Sequence, residues 1–225
     1  MSYISPLLQI AQELRGLLHK SSSEVRVLDL CCGVGMSTRA LSKAFPDAQE
    51  VMGLDTSPQM VAMANFLTDH LAIVRPWLEE FKRRFHVTGR LLDEQRNKLN
   101  VFKRFFFRGL HFKKGNAQDT HLPNGSFDLV TVMYAFHEAP MKGREQILKE
   151  ARRLLAPGGI LAVVDISADY QPSPHMLAGE PFVIEYQQNM NNQLRHMKGF
   201  LQPHYKTLVP GHLGMWTLRR SPSAV

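Results

Sequence analysis

The chain has 225 residues, 44% of them hydrophobic and 21% charged, enough to bury the core of one domain and ordinary for a globular protein. No apolar run approaches the ~20 residues a membrane span needs. The two cysteines, Cys31 and Cys32, are neighbours, which disfavours a disulfide and leaves too few thiols for a cysteine–zinc site. The net charge of +7 is uneven: twelve Lys and Arg against four acids lie between Arg75 and Lys114, so that segment carries +8 and the rest of the chain −1.

Apolar periodicity predicts a helix over Pro6–Lys20, whose apolar positions share one face and do not form the unbroken core of a signal peptide. The expected location is the cytoplasm; a chain from which an organelle transit peptide had been removed would read the same way. A buried strand follows at Val25–Leu30, a helix at Ser37–Phe45 and a strand at Glu50–Leu54. Ser57-Pro58 is a helix start, a serine cap before proline at the first helical position, and that helix runs to about Val74. Strands are predicted at Gly109–Lys113 and Phe127–Met133. An amphipathic helix at Lys142–Leu155 is stopped by Pro157-Gly158-Gly159, and a buried strand occupies Ile160–Asp165. Glu180–Leu201 reads as helical, and Tyr205–Val209 and Gly214–Arg219 as a strand pair.

Strands alternating with helices imply an α/β fold: a three-layer, doubly wound, mostly parallel seven-stranded sheet of Rossmann-like type, with an antiparallel end. The whole of residues 1–225 reads as a single domain. Residues 75–108 form a longer connection than a crossover requires, and their aromatic and basic residues read as an inserted helical segment.

Val27-Leu-Asp-Leu-Cys-Cys-Gly-Val-Gly-Met36 is a strand, a glycine turn and the start of a helix, the arrangement with which open α/β sheets build a nucleotide site. Asp29 ahead of Gly33 and Gly35 argues against pyrophosphate, which it would repel, and for a ligand with a cationic end. The third small residue of a dinucleotide fingerprint is also missing. Asp55, at the end of the second strand, is placed to accept hydrogen bonds from both ribose hydroxyls.

Four motifs, V-L-D-L-C-C-G-V-G, G-L-D-T-S-P-Q-M, G-N-A-Q-D-T-H-L-P-N-G-S-F-D-L-V-T-V-M and R-R-L-L-A-P-G-G-I-L-A-V-V-D, stand in order between Glu24 and Asp165. Together they resemble class I S-adenosylmethionine-dependent methyltransferases, nearest to the small-molecule branch with the ubiquinone/menaquinone-type enzymes. The resemblance implies S-adenosylmethionine as methyl donor. It implies that Asp29 helps hold the methionine part, directly or through water, that Gly33 and Gly35 let the donor approach the backbone, and that Thr56 and Met60 flank the adenosine. Asn116 would meet the adenine amino group and the Ala117 amide a ring nitrogen. Met133 is expected beside the donor, and so is Cys31, which stands where the family usually has glycine.

The loop after the fourth strand should face donor and acceptor. Tyr134 and Phe136 are expected as pocket walls, and His137 as the contact with the acceptor and candidate general base; a loop histidine bonded to backbone is the bland alternative. Glu138 either orients His137 or caps the next helix. Tyr170 and Tyr186 are candidate acceptor contacts, and Gln171–Glu180 has the composition of a lid loop. No metal site is expected. The reading favours a small-molecule acceptor, lipophilic if the enzyme sits near a membrane. The alternatives are an RNA or protein methyltransferase that uses the basic segment, or a non-catalytic scaffold that docks on an anionic membrane surface or partner through residues 75–114. Nucleic acid is the less favoured partner, because Phe136-His-Glu-Ala-Pro140 stands where many base N-methyltransferases carry Asn/Asp-Pro-Pro-aromatic.

Overall fold

The computed structural model describes residues 6–69 and 109–222. The expected insertion at 75–108 lies outside them. Helix α1 (Pro6–Leu17) precedes β1 (Arg26–Leu30), α2 (Met36–Ala44), β2 (Glu50–Asp55), α3 (Pro58–Asp69), β3 (Leu110–Lys114) and β4 (Phe127–Met133). Then come α4 (Met141–Leu154), β5 (Leu155–Ile166), α5 (Pro174–Gly179), α6 (Val183–Arg195), β6 (His204–Val209) and β7 (Leu213–Arg219). These strands form one sheet of order β3-β2-β1-β4-β5-β7-β6. β1 to β5 are parallel, and β7 runs antiparallel to both β5 and β6. The expected seven-stranded, mostly parallel α/β sheet is the one observed.

The sheet is covered on both faces, which is why its central strands are continuous apolar runs. On one face, Ile10, Ala11 and Leu14 of α1 and Ala40, Leu41 and Ala44 of α2 pack against Val27, Val51, Leu129, Ala162 and Val164. On the other, Ile147, Leu148, Ala151 and Leu154 of α4 and Val183, Tyr186, Met190 and Leu194 of α6 pack against Leu28, Leu30, Val130, Val132 and Val163. Because strand side chains alternate, neighbours such as Leu28 and Val27 serve opposite layers.

Two element boundaries differ from expectation. Pro157-Gly158-Gly159 does not form a loop after α4; β5 begins directly at Leu155. Leu155 already pairs with Phe127, and the strand passes through a register irregularity before Ile160 meets Leu129. The Gly158 amide donates to Arg220 O at 3.1 Å, Gly159 O accepts from the Arg220 amide at 2.8 Å, and Gly158 O accepts from the Arg219 guanidinium at 2.9 Å. The lid-like stretch before Glu180 contains helix α5, capped by the Ser173 hydroxyl, which accepts from the Met176 amide.

The strand order reverses between β1 and β4, so the crevice at their carboxyl ends is the topological switch point where such sheets bind ligands.

Candidate active site

The glycine turn after β1 is built on left-handed backbone: Cys31, Gly33 and Gly35 have φ of 58°, 53° and 76°. It is tied down by the Cys32 amide donating to Leu54 O at 3.0 Å and the Gly35 amide donating to Cys32 O at 2.8 Å. A Cβ placed on Gly33 would meet no atom within 4 Å, so this glycine opens onto free space. The same atom on Gly35 would lie 2.4 Å from the Phe112 ring. Gly35 is therefore small because β3 packs over it, and the expectation that it admits a ligand is corrected.

Asp55, half-buried at the end of β2, accepts from the Gly33 amide at 2.8 Å through one carboxylate oxygen and from the Ser57 amide at 2.9 Å through the other. It joins the turn to the start of α3, where the Met60 amide donates to the Ser57 hydroxyl. Each oxygen keeps acceptor capacity for a ligand hydroxyl. Thr56 and Met60 are exposed beside it. Asn116 is exposed just beyond β3, its side-chain oxygen accepting from the Gln118 amide at 3.0 Å. The Ala117 side chain is in the core, which leaves its backbone as the only polar offering.

Asp29 is wholly buried. Ser37 and Thr38 hydroxyls donate to one oxygen at 2.6 and 2.7 Å, and the Thr131 hydroxyl donates to the other at 2.6 Å. Burial raises its pKa, against the lowering effect of these hydroxyls. The carboxylate sits beneath the turn and fastens β1, α2 and β4 together; of the two expected ways of holding a ligand, directly or through water, its burial removes the direct one. Burial, then the charges of Asp55, Asp29 and Glu138, push the Cys31 thiol up to about 12, so it stays a neutral packing group.

Three further expectations change. Met133 packs into the layer under α1 and α2, away from the cleft. Phe136 is fully buried in the opposite layer, where its ring is no wall of an open pocket. Tyr186 is also fully buried, with its hydroxyl donating to Ile166 O at 3.1 Å. In all three an apolar or aromatic body found more burial in the core than at a strand end could offer. Tyr134 does stand exposed at the end of β4, in left-handed backbone with φ 57°, a sparsely populated conformation that concentrates at functional sites. Tyr170 is half-buried and meets the His212 ring edge-on at 5.1 Å.

His137 lies in a single 3-10 turn after β4 and is 7% exposed. Its Nδ1 is 2.5 Å from Asp165 Oδ1. Asp165, at the end of β5, also accepts from the Phe136 amide at 2.8 Å, the His137 amide at 3.3 Å and the Ile166 amide at 2.8 Å. Asp165, not Glu138, orients the ring. Nor does Glu138 cap α4, whose N-terminal cap is Pro140 with no side-chain bond. Burial works against protonation of His137, but the hydrogen bond and charge of Asp165, then the charges of Glu180 and Glu138, outweigh it and raise the pKa. With Nδ1–H held by Asp165, Nε2 is the nitrogen presented outward.

The loop is clamped from below by Arg144 of α4. Its fully buried guanidinium donates to both oxygens of Glu185 on α6 at 2.7 and 2.8 Å, to Gln193 at 3.0 Å and to Ala139 O at 2.5 Å. Sequence reading passed over Asp165 as an orienting group, and over Arg144 and Glu180. The signal for Asp165 was present: like Asp55, it is an acid closing a buried strand.

A glycine turn open to solvent at Gly33, the Asp55 carboxylate beside it and a strand-end loop carrying His137 all lie at the switch point of a sheet with the strand order of the class I methyltransferase fold. A family model for a methyltransferase domain matches residues 6–215, and the chain belongs to that family. It is 30% identical over 152 residues to a demethylmenaquinone methyltransferase of Lactiplantibacillus plantarum, which covers 67% of this chain and 49% of that protein. The chain therefore spans about half the length of that relative. Its fold resembles that of an S-adenosylmethionine-dependent methyltransferase from Mesorhizobium loti, with a TM-score of 0.58, 18% identity and coverage of 95% of this chain and 100% of that one. It also resembles an arsenic (III) S-adenosylmethionine methyltransferase from Chlamydomonas reinhardtii, with a TM-score of 0.55, 19% identity and coverage of 99% and 76%.

Proposed function

We propose that the protein transfers the methyl group of S-adenosylmethionine to a small-molecule acceptor. The observation that carries this reading is the cradle between Gly33 and Asp55: open space over a glycine in left-handed backbone, faced by a carboxylate whose two oxygens still have acceptor capacity. When bound, the donor supplies an electrophilic methyl on a positively charged sulfur. The chain's task is positioning. Gly33 leaves room for the aminoacyl end, with Asp29 holding the turn from beneath. Asp55 takes the ribose hydroxyls, Thr56 and Met60 border the adenosine, and Asn116 and the Ala117 amide read the adenine edge.

Transfer is an in-line displacement in which the acceptor's electron pair forms the new bond to carbon and the breaking bond's pair returns to sulfur. Orientation at near-attack distance, about 3–3.5 Å, supplies most of the rate. Tyr134, Tyr170 and His137 are the proposed acceptor-facing side chains, with His137 the catalytic residue. Its outward Nε2 lone pair serves an acceptor that must lose a proton, either by taking that proton or by holding a group that acidifies it.

The kinship with a quinone methyltransferase supports an aromatic or lipophilic acceptor. The +8 segment from Arg75 to Lys114 supports a second, compatible role in docking on an anionic surface. No helix among the described residues is long and apolar enough to cross a membrane.

The test is calorimetric titration with S-adenosylmethionine. The intact protein should bind one equivalent, Asp55→Ala should weaken binding at least tenfold, and His137→Gln should bind normally while losing at least 100-fold in methyl transfer to a quinol acceptor. An intact protein that binds no donor, or an Asp55→Ala variant that binds it unchanged while folded, would end this reading.

A further inference from the structure

Donor binding does not use one cluster of side chains beside the glycine turn. His137, Glu138 and Glu180 each offer a ligand atom, and these atoms lie within 4.8 Å of one another. We propose that they form a binding site for a divalent first-row transition-metal cation, which anchors and acidifies an oxygen of the acceptor. The inference rests on the reading that the acceptor meets the chain at His137, and it states what that side chain does there.

The distances favour a shared ion over direct hydrogen bonds. Nε2 is 3.5 Å from Glu180 Oε2 and 3.8 Å from Glu138 Oε1, beyond the ~2.7–3.2 Å of an N–H···O hydrogen bond. Ligands held at about 2.0–2.2 Å from a common cation stand roughly 3–4 Å apart, which is how far Nε2 stands from each carboxylate oxygen. The Glu180 Oε2 atom is buried and accepts no hydrogen bond, a costly state for a carboxylate oxygen unless a cation faces it. The His137 side chain is more than nine-tenths buried, with its free nitrogen aimed between the two carboxylates.

The support around the ligands is that of a metal site. A ligating histidine almost always donates its other N–H to a carboxylate or carbonyl, which fixes the tautomer and makes the ligating nitrogen more basic. Asp165 does this for His137, and three backbone amides hold Asp165 in turn. Glu180 is fixed in the tight connection between α5 and α6, its amide donating to Met176 O at 2.8 Å and its carbonyl accepting from the Val183 amide at 3.3 Å. Glu138 is 64% exposed and provides the way in from solvent. The charges also match: two carboxylates and a neutral imidazole surround a dication, with Asp165 adding negative charge behind the ring. The neighbouring guanidinium of Arg144 is already engaged by Glu185.

One nitrogen and two carboxylates suit Zn²⁺, Mn²⁺ or Fe²⁺ better than Ca²⁺ or Mg²⁺, which prefer all-oxygen surroundings. Three protein ligands leave open positions for an acceptor oxygen. A cation there lowers the pKa of a hydroxyl it binds, and the released proton leaves through the exposed Glu138 side. Nε2 then holds the ion instead of taking the proton. The cluster and the glycine turn both stand at the carboxyl ends of the central strands, the turn after β1 and His137 and Glu138 after β4, which pairs with β1, so an acceptor anchored on the ion would lie at the same end of the sheet as the donor's cradle.

The experiment uses the full chain, stripped with chelator and gel-filtered, then titrated with Mn²⁺ followed by electron paramagnetic resonance and with Zn²⁺ followed by calorimetry. S-adenosylmethionine binding and thermal melting are measured on the same samples. The expected result is one ion per chain. Glu180→Gln and His137→Gln should each weaken binding at least tenfold, Asp165→Asn should weaken it about 10–100-fold, and Glu145→Gln, an exposed acid elsewhere on α4, should leave it unchanged. An intact chain that binds neither ion stoichiometrically, or stoichiometric binding that survives His137→Gln and Glu180→Gln combined in a folded protein, overturns the site. A protein that binds the donor but neither ion loses the cation site alone. One that binds an ion but not the donor keeps the site and loses the methyltransferase reading.

Discussion

Gly33 and Gly35 sit two residues apart in the same turn, and a sequence pattern treats them alike. Their surroundings differ. Gly33 faces open space and Gly35 faces the Phe112 ring, although both occupy left-handed backbone. An alanine at either position carries the conformational penalty of about 1–3 kcal/mol for a non-glycine residue there. Only at Gly35 does it also collide with packed core. Gly33→Ala should therefore melt slightly below the parent and lose at least tenfold in S-adenosylmethionine affinity, because its methyl enters the cradle. Gly35→Ala should suffer the larger loss of melting temperature. Equal melting losses in both variants, or undiminished donor affinity in Gly33→Ala, would contradict the division.

Cys31 makes the same point from the other side. It occupies a left-handed position with a side chain present, so glycine is preferred at such a site but not obligatory. Asp29 was legible as an important acid because it precedes the glycines. Its role was not, because its partners Ser37, Thr38 and Thr131 come from two other elements, and such a carboxylate looks the same in sequence whether it faces a ligand or three hydroxyls.

Among the elements, α4 carries more of the site than its amphipathic pattern announces. Arg144 near its start holds the His137 loop to α6, while Glu150 near its end holds the chain after β3. The Thr120 amide and hydroxyl donate to Glu150 Oε1 at 2.8 and 2.6 Å, and Arg153 donates to both Glu150 oxygens at 2.7 and 2.8 Å. Burial alone would raise the Glu150 pKa. The hydrogen bonds from Arg153 and Thr120 and the charge of Arg153 outweigh it and hold the group at about 2, well below the ordinary glutamate value. A carboxylate with a depressed folded-state pKa contributes stability that is present in full above its unfolded value and fades as pH falls through the folded one. Glu150→Gln should accordingly cost about 2–3 kcal/mol at pH 7. The gap between parent and variant in urea melts should begin to close below about pH 4.5 and be nearly gone near pH 2. A gap independent of pH would mean that Glu150 acts by packing and not by charge.

The same scale shows why some helices were read and others missed. Ser57-Pro58 and Ser173-Pro174 carry the same cap signature, and in both the serine hydroxyl accepts from the amide three residues on. The first was recognised because an apolar stripe followed it. The second opens α5, a six-residue helix with no buried residue, so there was no periodicity to read and the stretch looked like a loop.

In the whole molecule, the strand–helix alternation disclosed the sheet, because parallel strands covered on both faces must be apolar runs separated by crossovers. The donor end of the site was legible for the same reason: it is assembled from strand ends, which hydrophobic patterning locates. The proposed acceptor end was legible only in part: the loop after β4 pointed to Tyr134 and His137, but not to Asp165 at the end of β5 and Glu180 between α5 and α6, which only the closed sheet brings to His137. Phe112 is a smaller case. In sequence it belongs to the basic-aromatic stretch 75–114 read as a possible docking surface, yet its ring is packed over Gly35 and Gly53. Lys113 and Lys114 are exposed beyond it.

Charge on this scale is a statement about partners, not about fold. With +8 confined between Arg75 and Lys114 and −1 elsewhere, attraction to an anionic surface would orient the molecule as well as bind it. Basic residues near such a surface each contribute about 1 kcal/mol, within a screening length of roughly 8–10 Å at physiological salt. The protein should co-sediment with vesicles containing phosphatidylserine and much less with neutral ones, and raised salt should release it. Phe105→Ser with Phe106→Ser should weaken the association further if aromatic insertion adds to charge, while S-adenosylmethionine binding, which we place at the turns that follow β1, β2 and β3, should stay intact. Equal sedimentation with neutral and anionic vesicles, or none with either, would confine the basic segment to a solvated surface and leave the acceptor to reach the site from water.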